Sequence, residues 1–178
     1  LNIVPGSAGE VESALAESYE VSDDGLEYTF RLREGVSFPD GTPFNAAAVL
    51  FSLNRIAPIN AAEGENAGFL YTDYANGVEA IDDMTVKVTF SAPFPFARQL
   101  IATNPWKILN PNAWDAKVAG TTNTACGIGP LKLESFIEGE ETVLVANESY
   151  YGEPSNESKV IVRYFANSST MALALRNG

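Results

Sequence analysis

The order of elements predicts an α+β fold of antiparallel hairpins with packed helices. Three observations carry this. Three stretches of alternating apolar residues are each broken by a tight turn: "LAESYEVSDDGLEYTFRLREG", "NGVEAIDDMTVKVTFSAPFPF" and "LKLESFIEGEETVLVANESYYG". A stripe of helical period follows the first of them. A strand and a helix, "SKVIVRYFANSSTMALALRNG", close the chain.

The elements can be justified in order. The opening "LNIVPGSAGEVE" reads as loop. In the first hairpin Tyr19 and Val21 alternate on one strand and Tyr28, Phe30 and Leu32 on the other, with Asp23 to Gly25 as the turn. Arg31 and Arg33 fall on the opposite face, toward water. The chain then bends at "FPDGTPFN". Pro39 fixes φ, Asp40-Gly41 is a turn pair, Pro43 keeps its neighbour extended, and Asn45 is a suitable N-cap for a helix over Ala46 to Ile56. Val49, Leu53 and Ile56 form the buried stripe of that helix. Each residue of the corner has a structural reason, which makes the corner scaffold.

Residues 57–75 form a long irregular stretch ending in Phe69, Tyr71 and Tyr74; they either pin the loop to the core or face a ligand. In the second hairpin Val78 and Ala80 precede the Asp82-Asp83 turn, and Met84, Val86, Val88 and Phe90 follow it. Pro93 and Pro95 end that sheet, "FARQLIA" gives a short helix, "NPWKILNP" an extended piece, and "NAWDAKVAG" a further turn or two of helix. Leu131 and Leu133 pair with Val143 and Val145 across an "EGE" turn. In the last strand Val160, Val162 and Tyr164 take one face and Ile161 and Phe165 the other, a pattern suited to the interior of a sheet. The final helix is capped by Ser168 or Ser169 and stopped by Gly178.

Composition excludes several chemistries. The chain has 178 residues, 46% of them hydrophobic and 11% aromatic, enough for one domain or one lobe with a sizeable core. Its net charge is −12, from 11 basic and 23 acidic residues, which repels nucleic acid and anionic lipid. It contains no histidine and a single cysteine, Cys126, so no Ser-His-Asp or Cys-His nucleophile, no His/Cys zinc site and no internal disulfide can be built. Cys126 reads as a small buried hydrophobe. No run approaches the ~18 apolar residues of a spanning helix, and Leu1 opens without a signal sequence, as in a chain trimmed of its leader or excised from a longer one.

Candidate motifs are few. "GIGP" at 127–130 lacks the ending of a phosphate loop and reads as a turn. Asp82-Asp83 and Glu138, Glu140 and Glu141 could form a glycosidase-like carboxylate pair, but they fall at hairpin tips, where charge is expected for solubility. No EF-hand spacing occurs and no metal ligands or cofactor are predicted. Asn-x-Ser sequons stand at Asn147, Asn156 and Asn167.

The phrases taken together resemble one family. Leu15 to Tyr19, Ser22 to Gly25, Tyr28 to Arg33, Gly35 to Phe38, Asp40 to Pro43 and Val49 to Ser52 are similar, in order and spacing, to the first-lobe pattern of the extracellular solute-binding proteins of family 5, the peptide/nickel class. "GIGPLKLESF" and Asn147, Tyr150 and Gly152 are similar to a later segment of the same pattern. Departures are Ile128 for the usual Thr, Leu131 for an aromatic, Tyr151 for Trp, and Ala47-Ala48 for an acidic pair; they bear on the subfamily.

The resemblance implies a part of lobe I of a two-lobed fold like that of the periplasmic binding proteins (type II, peptide-binding class). Residues 1–125 would be the extra subdomain and 126–178 a segment of the main sheet, with the second lobe outside this chain. It implies binding rather than catalysis: the receptor of an ABC importer, periplasmic or extracellular, in some members tethered as a lipoprotein. The solute would be a peptide foremost, with nickel chelates and oligosaccharides as alternatives, and the second partner a membrane permease. Phe69, Tyr71, Asn104, Trp106 and Lys107 are the residues expected to face the solute. Nickel-type members carry a basic residue at the position of Asn104, which argues against an anionic metal chelate. Competing readings are an extracellular carboxylate-based hydrolase and a sensor or regulator on the same fold.

Overall fold

The computed structural model describes residues 1–56, 75–103, 106–113 and 127–177. The three hairpins form where the alternation placed them. β1 (Asn2–Ile3) and β2 (Val11–Glu12) make a small antiparallel pair within the segment read as loop. β3 (Ala16–Val21), β4 (Glu27–Leu32), β5 (Ala75–Asp82) and β6 (Thr85–Phe90) make an antiparallel sheet of order β3-β4-β6-β5. Tyr19 pairs with Phe30 and Phe30 with Val86, so alternate residues stack on one face. That face holds Tyr28, Phe30, Leu32, Val86, Val88 and Phe90, all buried.

The corner between β4 and the first helix is closed by its own backbone. The Phe38 N–H donates to Thr42 O at 2.8 Å, and Gly41 sits at φ +86°, a left-handed turn position suited to glycine. The Asp40 carboxylate accepts the Thr42 N–H at 2.9 Å. That bond foremost, helped by an amide bond from Asn110, holds the Asp40 carboxyl below its ordinary range. α1 (Ala46–Asn54) starts at Asn45, whose side chain accepts the Ala48 N–H at 3.2 Å. The helix ends two residues short of the predicted Ile56, yet Val49, Leu53 and Ile56 are all buried, as its period requires. α1 packs on β5 and β6, and the Ala46 N–H donates to Asp83 O at 2.9 Å.

α2 (Ala97–Ile101) is the short helix after the prolines. β7 (Leu131–Ile137), β8 (Glu141–Ala146) and β9 (Lys159–Arg163) form a second antiparallel sheet, with a register shift between Leu133 and Ser135. Gly127–Pro130 is irregular, with a bend at Gly129 and Pro130, and is tied to the second sheet by Asn147: the Asn147 amide donates to Gly129 O at 2.8 Å and its N–H to Pro130 O at 2.9 Å. Asn147 is buried, with its side-chain amide engaged in the first of these bonds.

Two expectations for the C-terminal strand and helix are corrected. β9 was expected inside a sheet with both faces covered; it pairs with β8 only, and Ile161, Val162, Tyr164 and Phe165 in and after it are exposed, because no described residue covers them. α3 (Ser168–Asn177) is capped by Asn167 rather than by Ser168 or Ser169: the Asn167 Oδ1 accepts the Thr170 N–H at 3.0 Å. Asn forms this cap because its carbonyl reaches the third residue on, as Asn45 does at α1. Cys126, the 114–120 turn read as helical, Tyr74 and Gly178 lie outside the described residues.

Candidate functional site

An apolar cavity of about 430 Å³ opens between the inner face of the four-stranded sheet and the segments that return across it. β4 contributes Phe30 and Leu32, β6 Val86 and Val88, and α1 Val49 and Leu53. The opposite wall is Trp106 to Leu109, Gly127 to Pro130 and the Tyr150-Tyr151 pair. The cavity is partly open to the surface rather than enclosed.

The segment 106–110 forms the wall because α1 holds it. The Leu109 N–H donates to Ser52 Oγ at 2.9 Å, and the Ser52 hydroxyl donates to Ala48 O at 2.7 Å. Ser52 is fully buried. The next residue, Asn110, is also fully buried, and its amide donates to the Asp40 carboxylate at 2.7 Å. The Asn112 amide donates to Thr42 Oγ1 at 3.1 Å. The corner and Ser52 in the last turn of α1 thus fix a segment 57 to 70 residues later in the chain, and so set the shape of the cavity wall.

The other side of the cavity is fixed by Arg33. Its N–H donates to Leu15 O at 2.8 Å and its Nε to Ala14 O at 3.1 Å, while its guanidinium lies 5.2 Å from the centre of the Tyr151 ring. Arg33 was expected to face water; it is half-buried, joining the first hairpin to the Tyr150-Tyr151 segment. The Tyr151 hydroxyl is pushed up to about 12, by burial first and then by the adjoining Tyr150, against the opposing pull of Arg33. The Tyr150 ring packs over Gly152, where a Cβ would stand 2.8 Å from it.

Of the expected solute-facing residues, Trp106 and Lys107 both line the cavity. Trp106 is buried, with ring centroids 6.3 Å apart where it stacks on Phe90, so it is at once core and cavity wall. Lys107 is exposed, at the solvent side, and its ammonium donates to Asn2 Oδ1 at 3.4 Å. Phe69, Tyr71 and Asn104 lie outside the described residues. Sequence reasoning missed Ile108, Ile128, Tyr150 and Tyr151 as lining residues. The paired tyrosines were the available signal, read then only as part of a motif.

Among the described lining residues Lys107 is the one charged side chain, and none is a carboxylate. The acidic pairs weighed for hydrolysis serve turns: the Asp82 carboxylate accepts the Met84 N–H at 2.8 Å, and Glu138 and Glu140 flank the β7–β8 turn at Gly139. Among the described residues no group of three or more His, Cys, Asp or Glu side chains could hold a metal ion. No helix among them is long and apolar enough to cross a membrane. The arrangement can hold an uncharged, apolar group beside the Lys107 ammonium.

Comparison with known proteins places this geometry. Residues 10–178 match the model of the bacterial extracellular solute-binding proteins, family 5, middle region. The chain is 36% identical over 175 residues to a probable D,D-dipeptide-binding periplasmic protein of Escherichia coli K12, covering 95% of this chain and 33% of that protein. It is 36% identical over 172 residues to the glutathione-binding protein of the same strain, again covering 95% of this chain and 33% of the relative. The chain thus spans about a third of the length of the curated relatives it matches. Among solved structures, the binding protein MoaA of A. tumefaciens R10 in complex with mannopinic acid superposes with a TM-score of 0.84 at 29% identity, over 99% of this chain and 36% of that one. From the match over nearly its whole length, the chain belongs to the family 5 bacterial extracellular solute-binding proteins.

Proposed function

We propose that this chain is part of the substrate-binding component of an ABC importer, which takes up a peptide or similar small solute between two lobes and delivers it to a membrane permease. The observation that carries the reading is the family match across residues 10–178. Residues 1–125 act as the extra subdomain of the first lobe and 126–178 as a segment of its main sheet, with the second lobe elsewhere in the full-length protein. The uncovered apolar residues of β9 and α3 support this: Leu175 is 85% exposed and α3 has no buried residue, which suits surfaces covered by more of the same protein.

The mechanism is binding and closure, without turnover. A solute that touches both lobes favours the closed form by its differential contacts, and the closed form docks on the permease. Phe69, Tyr71, Asn104, Trp106 and Lys107 form the first-lobe side of the cleft. The protein works in the periplasm or at the outer face of the membrane, with a lipoprotein tether as one form of that location. No carboxylate lines the cavity among the described residues, so the hydrolase reading gains no support from it.

A thermal-shift screen of the full-length protein against peptides, nickel chelates and oligosaccharides tests the proposal. A solute at 100 times its Kd should add about 2.7 kcal/mol by mass action and raise the melting temperature by several degrees. No response to any class, with a folded protein, would contradict it.

A further inference from the structure

The β3–β6 sheet packs together with α1, and β7 to β9 pack together as a separate sheet. The two parts meet at a small knot of chain centred on Asn147, which is buried. The Asn147 amide donates to Gly129 O at 2.8 Å and its N–H to Pro130 O at 2.9 Å. Its Oδ1 accepts the Ser149 N–H at 3.2 Å and the Ser149 hydroxyl at 2.8 Å. The Tyr150 N–H returns to Asn147 O at 3.1 Å. These bonds hold two stretches, 127–130 and 147–151, as one piece, although 18 residues separate Gly129 from Asn147. From this piece Ile128 is buried in the core of the first part, and Tyr151 packs against that core. Arg33, just past β4, receives the Tyr151 ring at 5.2 Å from its guanidinium. The Nε bond to Ala14 O at 3.1 Å aims the guanidinium, and the Glu17 carboxylate stands 4.0 Å from its Nη1. A guanidinium held along one edge loses little freedom on meeting the ring, and a half-buried pair meets less competition from water than an exposed one.

We infer that Arg33 is the positioning residue of a joint between the two sheets: its cation over Tyr151 seats the Asn147 knot against the first sheet, so that the β3–β6 and β7–β9 sheets move as one rigid body. Arg33 acts through Tyr151 and lies behind the cavity wall. Ile128, Tyr150 and Tyr151 keep their places in that wall because the knot is seated. The purpose of the joint rests on the receptor reading. A clamp passes the energy of closure to its far side only if each half moves as a unit.

Hydrogen exchange of the full-length protein without solute, read by mass spectrometry on peptides covering 147–152 and β6, tests it. Arg33→Met keeps the apolar stem and removes the cation. It should speed exchange at the 147–152 amides about three- to tenfold and leave those of β6 at their original rates. Tyr151→Leu should do the same. The double variant should exchange no faster than Tyr151→Leu alone, because the two residues act through one contact. Tyr151→Trp offers the cation a larger ring and should keep the original rate. Unchanged exchange in Arg33→Met overturns the inference, as does a double variant whose acceleration is the product of the two singles. An equal rise in β6 and in 147–152 also overturns it, since that marks a contact that stabilises the whole fold and positions nothing. Arg33→Met decides alone if Tyr151→Leu does not fold. The exchange needs no solute, so its outcome is separate from that of the thermal-shift screen: a silent screen beside the expected exchange pattern contradicts the receptor reading and leaves the joint standing, and the reverse pair of results removes the joint alone.

Discussion

Ser52 shows how much of the site hangs on single buried atoms. Its hydroxyl accepts the Leu109 N–H and donates back into its own helix, which locks the cavity wall to α1. Ser52→Ala should leave that N–H unpaired and cost about 1–3 kcal/mol, read as a lower denaturation midpoint at unchanged slope. Tyr151 gives a second test at this scale. Its folded value of about 12 lies above the ordinary 10.0, so the folded state keeps the phenol proton after the unfolded chain has lost it. Its contribution is therefore complete below pH 10 and is lost as the pH rises toward 12. Tyr151→Phe should flatten the decline of stability over that interval, measured by denaturation at each pH. Neither role is written in the local sequence. The Ser52–Leu109 bond spans 57 residues and the Asp40–Asn110 bond 70, and nothing near Ser52 or Asp40 names the partner.

At the scale of elements the hairpins and the corner were legible because their signals are local. Asp-Gly turns, period-two alternation and an Asn cap act within a few residues, and Tyr28, Phe30, Leu32, Val86, Val88 and Phe90 are buried as the alternation requires. β9 and α3 were legible as elements and misread in their surroundings. Apolar residues on both faces of β9 imply cover, and the covering surface is not in the described chain. In α3, Met171 and Leu175 share one face while Leu173 points away from it, the pattern of a helix enclosed on more than one side. The isolated 178-residue chain should accordingly bind a hydrophobic dye such as ANS and self-associate. Paired substitution of Ile161→Thr and Leu175→Glu should reduce both signals, by fluorescence and light scattering, without altering the β3–β6 sheet.

For the molecule as a whole, charge and cavity divide the work. The chain carries a net charge of −12, while Lys107 places an ammonium at the mouth of an apolar cavity. The absence of histidine from this chain and its single cysteine were legible in the composition; the cavity itself was not, since its described lining comes from eight separated stretches of chain. The central proposal is that these residues are half of a clamp whose affinity comes from contacts to both lobes. The direct measurement is the affinity of one solute, found by the thermal-shift screen, for the full-length protein and for residues 1–178 alone, by calorimetry. The isolated chain should bind at least about 100-fold more weakly, equivalent to about 2.7 kcal/mol of missing contact. Equal affinity of the two would mean that the chain binds its solute unaided, and would contradict the clamp.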